Sequence, residues 1–386
     1  MKINKLFIAG LLAVSLSGCQ KVLETAETDV IAGDVALLTT ANNQQAIIGA
    51  YAAMNVEMGI LLNATFADEV RVGEFYNAGT THEWQYASTD IGLRDNFTAF
   101  NLYYRVIDRV NRVLAALPKA TSTGAADDAL KLRLRGEALF LRAFCHFELY
   151  RYYSNSAVAS DLALMYMETP SLSPFARIAV GPYFIKLKAD LVAAKPLLPT
   201  AFTEIYRATA ASCSGLQARV ALYQKEWDDA ITYSSEYITA LPLSTRANFP
   251  NIWMDASSTE CAFKLSRTSS IGTKIGSLFR STSASTANIG TITWLPSNKL
   301  WDSYDQVNDI RFSSYFKTEP LIVTPRPNKI ISKYAGGAYA TPTENVADAK
   351  VFRTGEMYLI RAEAHAETGN LVSAAADLNT LRERSE

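Results

Sequence analysis

Residues 216–242, LQARVALYQKEWDDAITYSSEYITALP, restrict the fold more than any other stretch of the chain. Leu216, Val220 and Tyr223 fall on one helical face, Gln224-Lys225-Glu226 interrupts it, and Trp227, Ala230, Ile231, Ser234 and Ile238 then recur at i, i+3, i+4, i+7 on a second face. This spacing predicts two antiparallel helices. Ala218, Ala221 and Ala230 sit where the pair must approach closely, Trp227 is placed to wedge the turn, and Pro242, lacking an N–H, ends the second helix. A helix pair of this size cannot bury its apolar stripe alone and needs neighbours.

Residues 356–384 supply a second copy in register: Leu371 falls on Trp227, Ala374 on Ala230 and Ala362 on Ala218, with Gly369-Asn370 at the turn. A third, more divergent copy combines 129–153 with 182–199 across an insertion. This is the tetratricopeptide (TPR) pattern. Three unrelated amphipathic hairpins in a bundle are the plainer alternative, and the shared alanines favour repeats. The expected fold is mostly α: a TPR-like helical repeat scaffold over about 42–242 and 352–386, with an irregular, loop-rich insertion over about 243–351 on one side. Repeat arrays grow without splitting, so 386 residues are expected to form a signal segment, 1–18, and one domain, 19–386.

The N-terminus bears on location. Lys2 and Lys5 precede an apolar run over 6–16, too short for a permanent membrane span and suited to a secretory signal peptide. Leu16-Ser17-Gly18-Cys19 resembles the lipobox of bacterial lipoproteins, which implies cleavage before Cys19 and acylation of that cysteine. Two or more acyl chains hold a protein stably on a membrane. Losing Lys2 and Lys5 with the leader takes the net charge from -1 to -3, which gives no electrostatic reason to expect nucleic acid. Cys145, Cys213 and Cys261 remain as an odd set; no disulfide framework is implied, and Cys145 and Cys213 fall on apolar helix faces.

Residues 20–40 are polar and acidic without period, as in a tether. Helices are predicted from Asn42, over 100–117 and over 130–153, the last with Arg133 and Glu137 paired at i, i+4. Residues 66–98 break the helical habit with Gly73, Gly79 and Gly92, and a long loop on a rigid scaffold commonly carries function. Strand-like scraps stand at 261–265 and 321–323, and 301–315 reads as a short helix pair.

Nothing in the residues specifies catalysis, a metal or a cofactor. His82, His146 and His365 are the only histidines, none in H-x-x-x-H spacing, and no Gly-rich phosphate loop or G-x-S-x-G elbow occurs. His146 and His365 read as packing residues, and Glu137, Arg142, Arg361 and Glu363 as ion pairs between helices. A sugar offers apolar C–H faces and a rim of hydroxyls, so its site needs aromatic platforms beside amides and charges. Two places qualify: the loop with Arg71, Tyr76, Asn77, His82, Glu83, Trp84, Gln85 and Tyr86, and the stretch around Arg280, Asn288 and Trp294. Trp301 and Tyr304 read as core; Trp253 is open.

Taken in order, RGEALFLRAF at 135–144, FARIAV at 175–180 leading to Asp190-Leu191 and Leu197-Leu198-Pro199, Ala218-Arg219 through Trp227-Asp228-Asp229-Ala230, LPSNKLWDSY at 295–304 with Asp309-Ile310-Arg311, EMYLIRAEA at 356–364 and LNTLR at 378–382 resemble the SusD/RagB family of Bacteroidetes outer-surface lipoproteins. The resemblance implies a non-enzymatic, lipid-anchored outer-membrane protein facing the cell surface. It would capture oligosaccharide, or in some members peptide, for a SusC-like TonB-dependent transporter. A TPR-type protein–protein scaffold lipoprotein without a small ligand is the alternative. Family members continue past L-N-x-L-R with further motifs, so a chain truncated at the C-terminus is expected.

Overall fold

The computed structural model describes residues 36–74, 100–154, 156–171, 173, 175–270 and 274–386. The signal segment, Cys19, Tyr76, Asn77, His82, Trp84 and Tyr86 therefore lie outside the described residues. The chain begins with α1 (Thr40–Ala53), α2 (Glu57–Phe66) and a short strand, β1 (Val70–Val72). Next come α3 (Phe100–Ala116), α4 (Ala125–Tyr153), α5 (Val180–Ala194), α6 (Ala210–Gln224) and α7 (Trp227–Ala240). The insertion carries α8 (Phe249–Trp253), β2 (Cys261–Leu265), β3 (Trp294–Pro296), α9 (Asn298–Asp302), α10 (Ile310–Tyr315), β4 (Phe316–Thr318), β5 (Lys329–Ile331) and β6 (Ala349–Arg353). The final pair is α11 (Thr354–Glu367) and α12 (Leu371–Ser385).

The TPR-like scaffold expected from the repeats is present. Helices pack in sequence, α1 on α3, α3 on α4, α4 on α5, α6 on α7 and α11 on α12, while α7 packs directly on α11 despite the insertion between them. Ala218, Ala221, Ala230, Ala362 and Ala374 are all buried, as the crossing requires. Thr209 and Ser212 form a reciprocal capping box that fixes the start of α6. The two turns differ: Gly369 takes φ +81° without steric cost, whereas Lys225 occupies the left-handed region at φ 58°, where a side chain is strained. Leu371, superposed on the half-buried Trp227, is 67% exposed, because the main helical neighbour of α12 is α11 alone.

The insertion departs from the helical habit because its two ends are tied together. β2 pairs antiparallel with β6, so residues 266–348 leave and rejoin the scaffold at one place. β1 pairs with β3 (Arg71 opposite Leu295, Val72 opposite Trp294), and β4 with β5. The strand expected at 261–265 is β2; 321–323 is instead irregular, within the connection between β4 and β5. The expected helix pair at 301–315 appears as α9 and α10, capped by the side chains of Ser297 and Asp309.

Ion pairs set helix positions. Arg142 on α4 grips Asp190 on α5 through both guanidinium edges at 2.7 and 2.6 Å, and reaches Asn111 on α3 at 3.0 Å. Glu137 accepts from Arg133, as its spacing predicts, and from Arg207; Arg361 holds Asp377 between α11 and α12. His146 is buried and neutral, its titration pushed down to about 3 by burial. Its Nδ1 faces the Tyr183 hydroxyl at 3.1 Å and its Nε2 accepts from the Met167 amide at 3.2 Å. Cys145, Cys213 and Cys261 are free and buried.

Replacing one partner of a buried pair strands the other charge. Arg142→Met, leaving the Asp190 charge with only the Tyr166 hydroxyl, is expected to lower the unfolding free energy by about 3–5 kcal/mol, read from the urea midpoint. Gly136 lets α4 approach the end of α5: a Cβ there would stand 2.8 Å from the Leu197 Cβ. Gly136→Ala should cost about 1–3 kcal/mol in the same measurement.

Candidate functional site: an aromatic cavity between scaffold and insertion

β1 and β3 join the two stretches that the sequence marks as ligand candidates. Arg71 is exposed on β1. Trp294 is not a platform: it is 2% exposed and packs with Leu61, Ala64, Val70 and Phe279. Arg280 is also buried, held by Glu344 at 2.5 Å and by Asn345 at 3.0 Å, with its guanidinium over the Tyr339 ring. Both candidate contacts are sealed by parts of the chain far along it: β1 covers Trp294, and residues 344–345 cover Arg280.

The packing of Trp294 supports the floor of a cavity of about 350 Å³, at the small end of the range for small-ligand sites, roughly 300–1,000 Å³. Its walls come from four places. The end of α2 gives Asn63 and Ala64, the approach to β1 gives Glu69 and Val70, α9 and the turn after it give Leu300 and Tyr304, and the β4–β5 pair with its flanks gives Tyr315, Phe316, Ile331, Lys333 and Tyr334. Phe279 closes the base, stacked on Tyr334 with ring centroids 6.0 Å apart and planes 11° from parallel. Backbone amides of Ser332 and Lys333 donate to the Tyr315 carbonyl at 2.8 and 3.1 Å, which fixes Lys333 beside that ring.

The polar groups of this lining are unspent. Among the described residues, the side chains of Asn63, Glu69, Tyr304, Tyr315, Lys333 and Tyr334 make no hydrogen bond or ion pair. Rings and free polar groups thus converge on one space. Burial raises the phenols of Tyr315 and Tyr334 and pushes Tyr304 up to about 12, so all three remain neutral donors and acceptors near neutrality.

Lys333 has a distinct setting. Its Nζ lies 4.4 Å from the Trp253 ring centroid, 4.7 Å from Tyr315 and 5.4 Å from Tyr334. Burial, with Arg353 and Lys350 nearby, lowers its titration to about 7. Trp253, left open by the sequence, is a buried ring under Lys333 and Arg353. Tyr304 corrects another expectation: read as core, it lines the cavity against Phe312 and Phe316, while Trp301 is core as expected. Sequence reading missed Lys333 and Tyr334, and the available signal was a Lys-Tyr step followed by two glycines within the irregular insertion.

A larger cavity of about 760 Å³ lies between α1 and α3. It suits a ring ligand less well: its lining has no aromatic side chain, Arg109 is spent on the Gly49 carbonyl and Arg112 on Asp108. Among the described residues no cluster of His, Cys, Asp and Glu is arranged to hold a metal, and no helix is long and apolar enough to cross a membrane.

A repeat scaffold with a ligand-sized cavity where an insertion meets it defines a class of binding protein, and the comparisons narrow the class. The model of a family described as "Starch-binding associating with outer membrane" matches residues 29–222, and that of the SusD family matches 291–386. The chain belongs to the SusD/RagB family. No curated protein matches it. Among solved structures, a SusD superfamily protein from Bacteroides thetaiotaomicron superposes with TM-score 0.73 at 19% identity, covering 90% of this chain and 80% of the other. A SusD-like carbohydrate binding protein from Bacteroides vulgatus gives TM-score 0.73 at 20% identity over 90% and 76% of the two chains. Surface glycan-binding protein A from Bacteroides uniformis gives 0.72 at 18% over 90% and 81%. At these identities the likeness establishes the fold.

The setting of Lys333 generates a direct test. In an NMR titration of lysine side chains, one resonance is expected to titrate near pH 7 and to vanish in Lys333→Met, with surface lysines titrating close to their ordinary value of about 10.4.

Proposed function

We propose that this protein is a non-enzymatic glycan-capture lipoprotein of the outer membrane. In this reading acyl chains on Cys19 anchor it facing outward, and it hands oligosaccharide to a SusC-like TonB-dependent transporter. The observation that carries the binding reading is the cavity between α2 and the β4–β5 pair, where aromatic rings and unspent polar groups converge. A pyranose face is apolar enough to lie on the half-buried Tyr304, and its hydroxyls can both give and take hydrogen bonds with phenols, an amide and a carboxylate. The family descriptions and the solved relatives named for carbohydrate and glycan binding favour a sugar over a peptide.

Arg71 belongs to this proposal as an exposed cation on β1, and Tyr76, Asn77, His82, Trp84 and Tyr86 follow it in the chain as further ligand contacts. Arg280 and Trp294 have the supporting part of holding the cavity's surroundings in place. A TPR-type scaffold that binds only protein remains the competing reading, and the cavity counts against it: a protein-only surface has no use for a recess of free phenols.

Isothermal titration against a panel of oligosaccharides and peptides checks the assignment. At least one oligosaccharide should bind, and Tyr304→Ala should weaken it by about tenfold, roughly 1.4 kcal/mol, without changing the circular dichroism. Binding of peptides alone, or of nothing, would overturn the glycan reading. For the anchor, Cys19→Ala is expected to move the protein from the membrane fraction to the soluble fraction, and unchanged membrane association would sink it.

A further inference from the structure

The charges beneath the cavity do not balance. Lys264, Lys333, Lys350, Arg353 and Arg384 gather on and behind β2 and β6, against Asp255, Glu260 and Asp348. The carboxylates are shared among four of these cations. Asp255 lies 2.7 Å from Lys350 and 3.4 Å from Lys264, Asp348 3.0 Å from Lys264, and Glu260 2.7 Å from Arg353 and 3.2 Å from Arg384. Lys333 has none, and it is the member of the group that lines the cavity. The rings of Trp253 and Tyr315 lie against its Nζ, and these favour a cation without neutralising it. Glu69, the carboxylate of the lining, is exposed, where water screens it, and forms no ion pair with Lys333.

We infer that the cavity selects an anionic sugar residue, a uronate whose carboxylate takes the place of the missing counter-ion at Lys333. The inference rests on the glycan reading above and sharpens it. A carboxylate entering the recess is desolvated, so it is held only if it meets a cation there, and Lys333 offers three N–H donors in that position. The rings of Tyr315 and Tyr334 flank the same point and shield the pair from water. A neutral sugar would find the rings but leave the ammonium uncompensated.

The arrangement also sets a pH dependence. Arg353 and Lys350 on β6 act on Lys333 to disfavour its charge, Glu69 before β1 to favour it, and the neighbouring phenols of Tyr315 and Tyr334 stay neutral. With its titration near 7 in the free protein, Lys333 is charged below neutrality and loses its proton above it. Uronate affinity should therefore be greatest below pH 7 and fall as pH rises through it, while affinity for a neutral sugar should not.

The test is a matched pair of ligands, a short oligouronate and its methyl ester, titrated calorimetrically at pH 6 and 8.5 into the whole protein and into Lys333→Met. The acid should bind roughly tenfold more tightly than the ester at pH 6, with the advantage shrinking at pH 8.5 and lost in the variant. Equal binding of acid and ester at both pH values, or binding of neutral oligosaccharides alone, overturns the charge selection and leaves the glycan reading standing. Silence toward every oligosaccharide overturns both. The wild-type comparison keeps the inference falsifiable even if the variant folds poorly.

Discussion

The stacking of α7 on α11 is the contact on which the rest of the structure depends. These helices are neighbours in space but separated by the whole insertion in sequence, so their packing brings the insertion's two ends together. Buried polar groups lock the junction. The Tyr237 hydroxyl accepts from the Ala262 amide at 3.0 Å, Thr354 donates to the Leu241 carbonyl at 2.7 Å, and Glu260 accepts from the Ser244 amide, Arg353 and Arg384. Glu260 does this from a left-handed backbone at φ 58°, a strained conformation that persists because its partners hold it.

With its ends clamped, the insertion need not build a core of the usual size. Among the described residues, three two-stranded sheets and short capped helices suffice, because each leans on the scaffold or on another strand pair. The cavity is a by-product of that arrangement. A helix end, a strand approach and a strand pair meet at an angle, and rings fill the walls but not the middle. The polar atoms left there have no partner among the described residues, which distinguishes this recess from the larger alanine-lined cavity between α1 and α3. Unspent donors and acceptors beside flat rings are what a hydroxyl-rich ligand needs.

Much of the scaffold was legible in the chain because helix pairing is local. The i, i+3, i+4, i+7 stripe, the alanines at 218, 230, 362 and 374 and the Arg133–Glu137 spacing each act within a turn or two of helix, and each reappears in the structure. The site was legible only in part. Arg280 and Trp294 were candidates because an aromatic ring and a charge stand near an amide in the chain, yet Glu344 and β1, both distant in sequence, cover them. Tyr304 looked like core on a helical stripe, but α9 ends at Asp302 and leaves its ring at a wall of the cavity. Lys333 gave almost no signal: its character comes from Trp253, Tyr315 and Arg353, which only the folded chain brings around it.

The amino-acid sequence by itself determined the helical repeats, the kinship with the SusD/RagB family and the region where regular structure gives way, since periodicity, small residues at crossings and ordered motifs are properties of short segments. Tertiary structure alone decided which aromatic and charged side chains are sealed and which face a cavity, because burial and charge compensation depend on partners scores of residues away. The setting of Lys333 is of the second kind: a lysine is ordinary in sequence, and becomes a site only when the buried carboxylates Asp255, Glu260 and Asp348 are held by other cations.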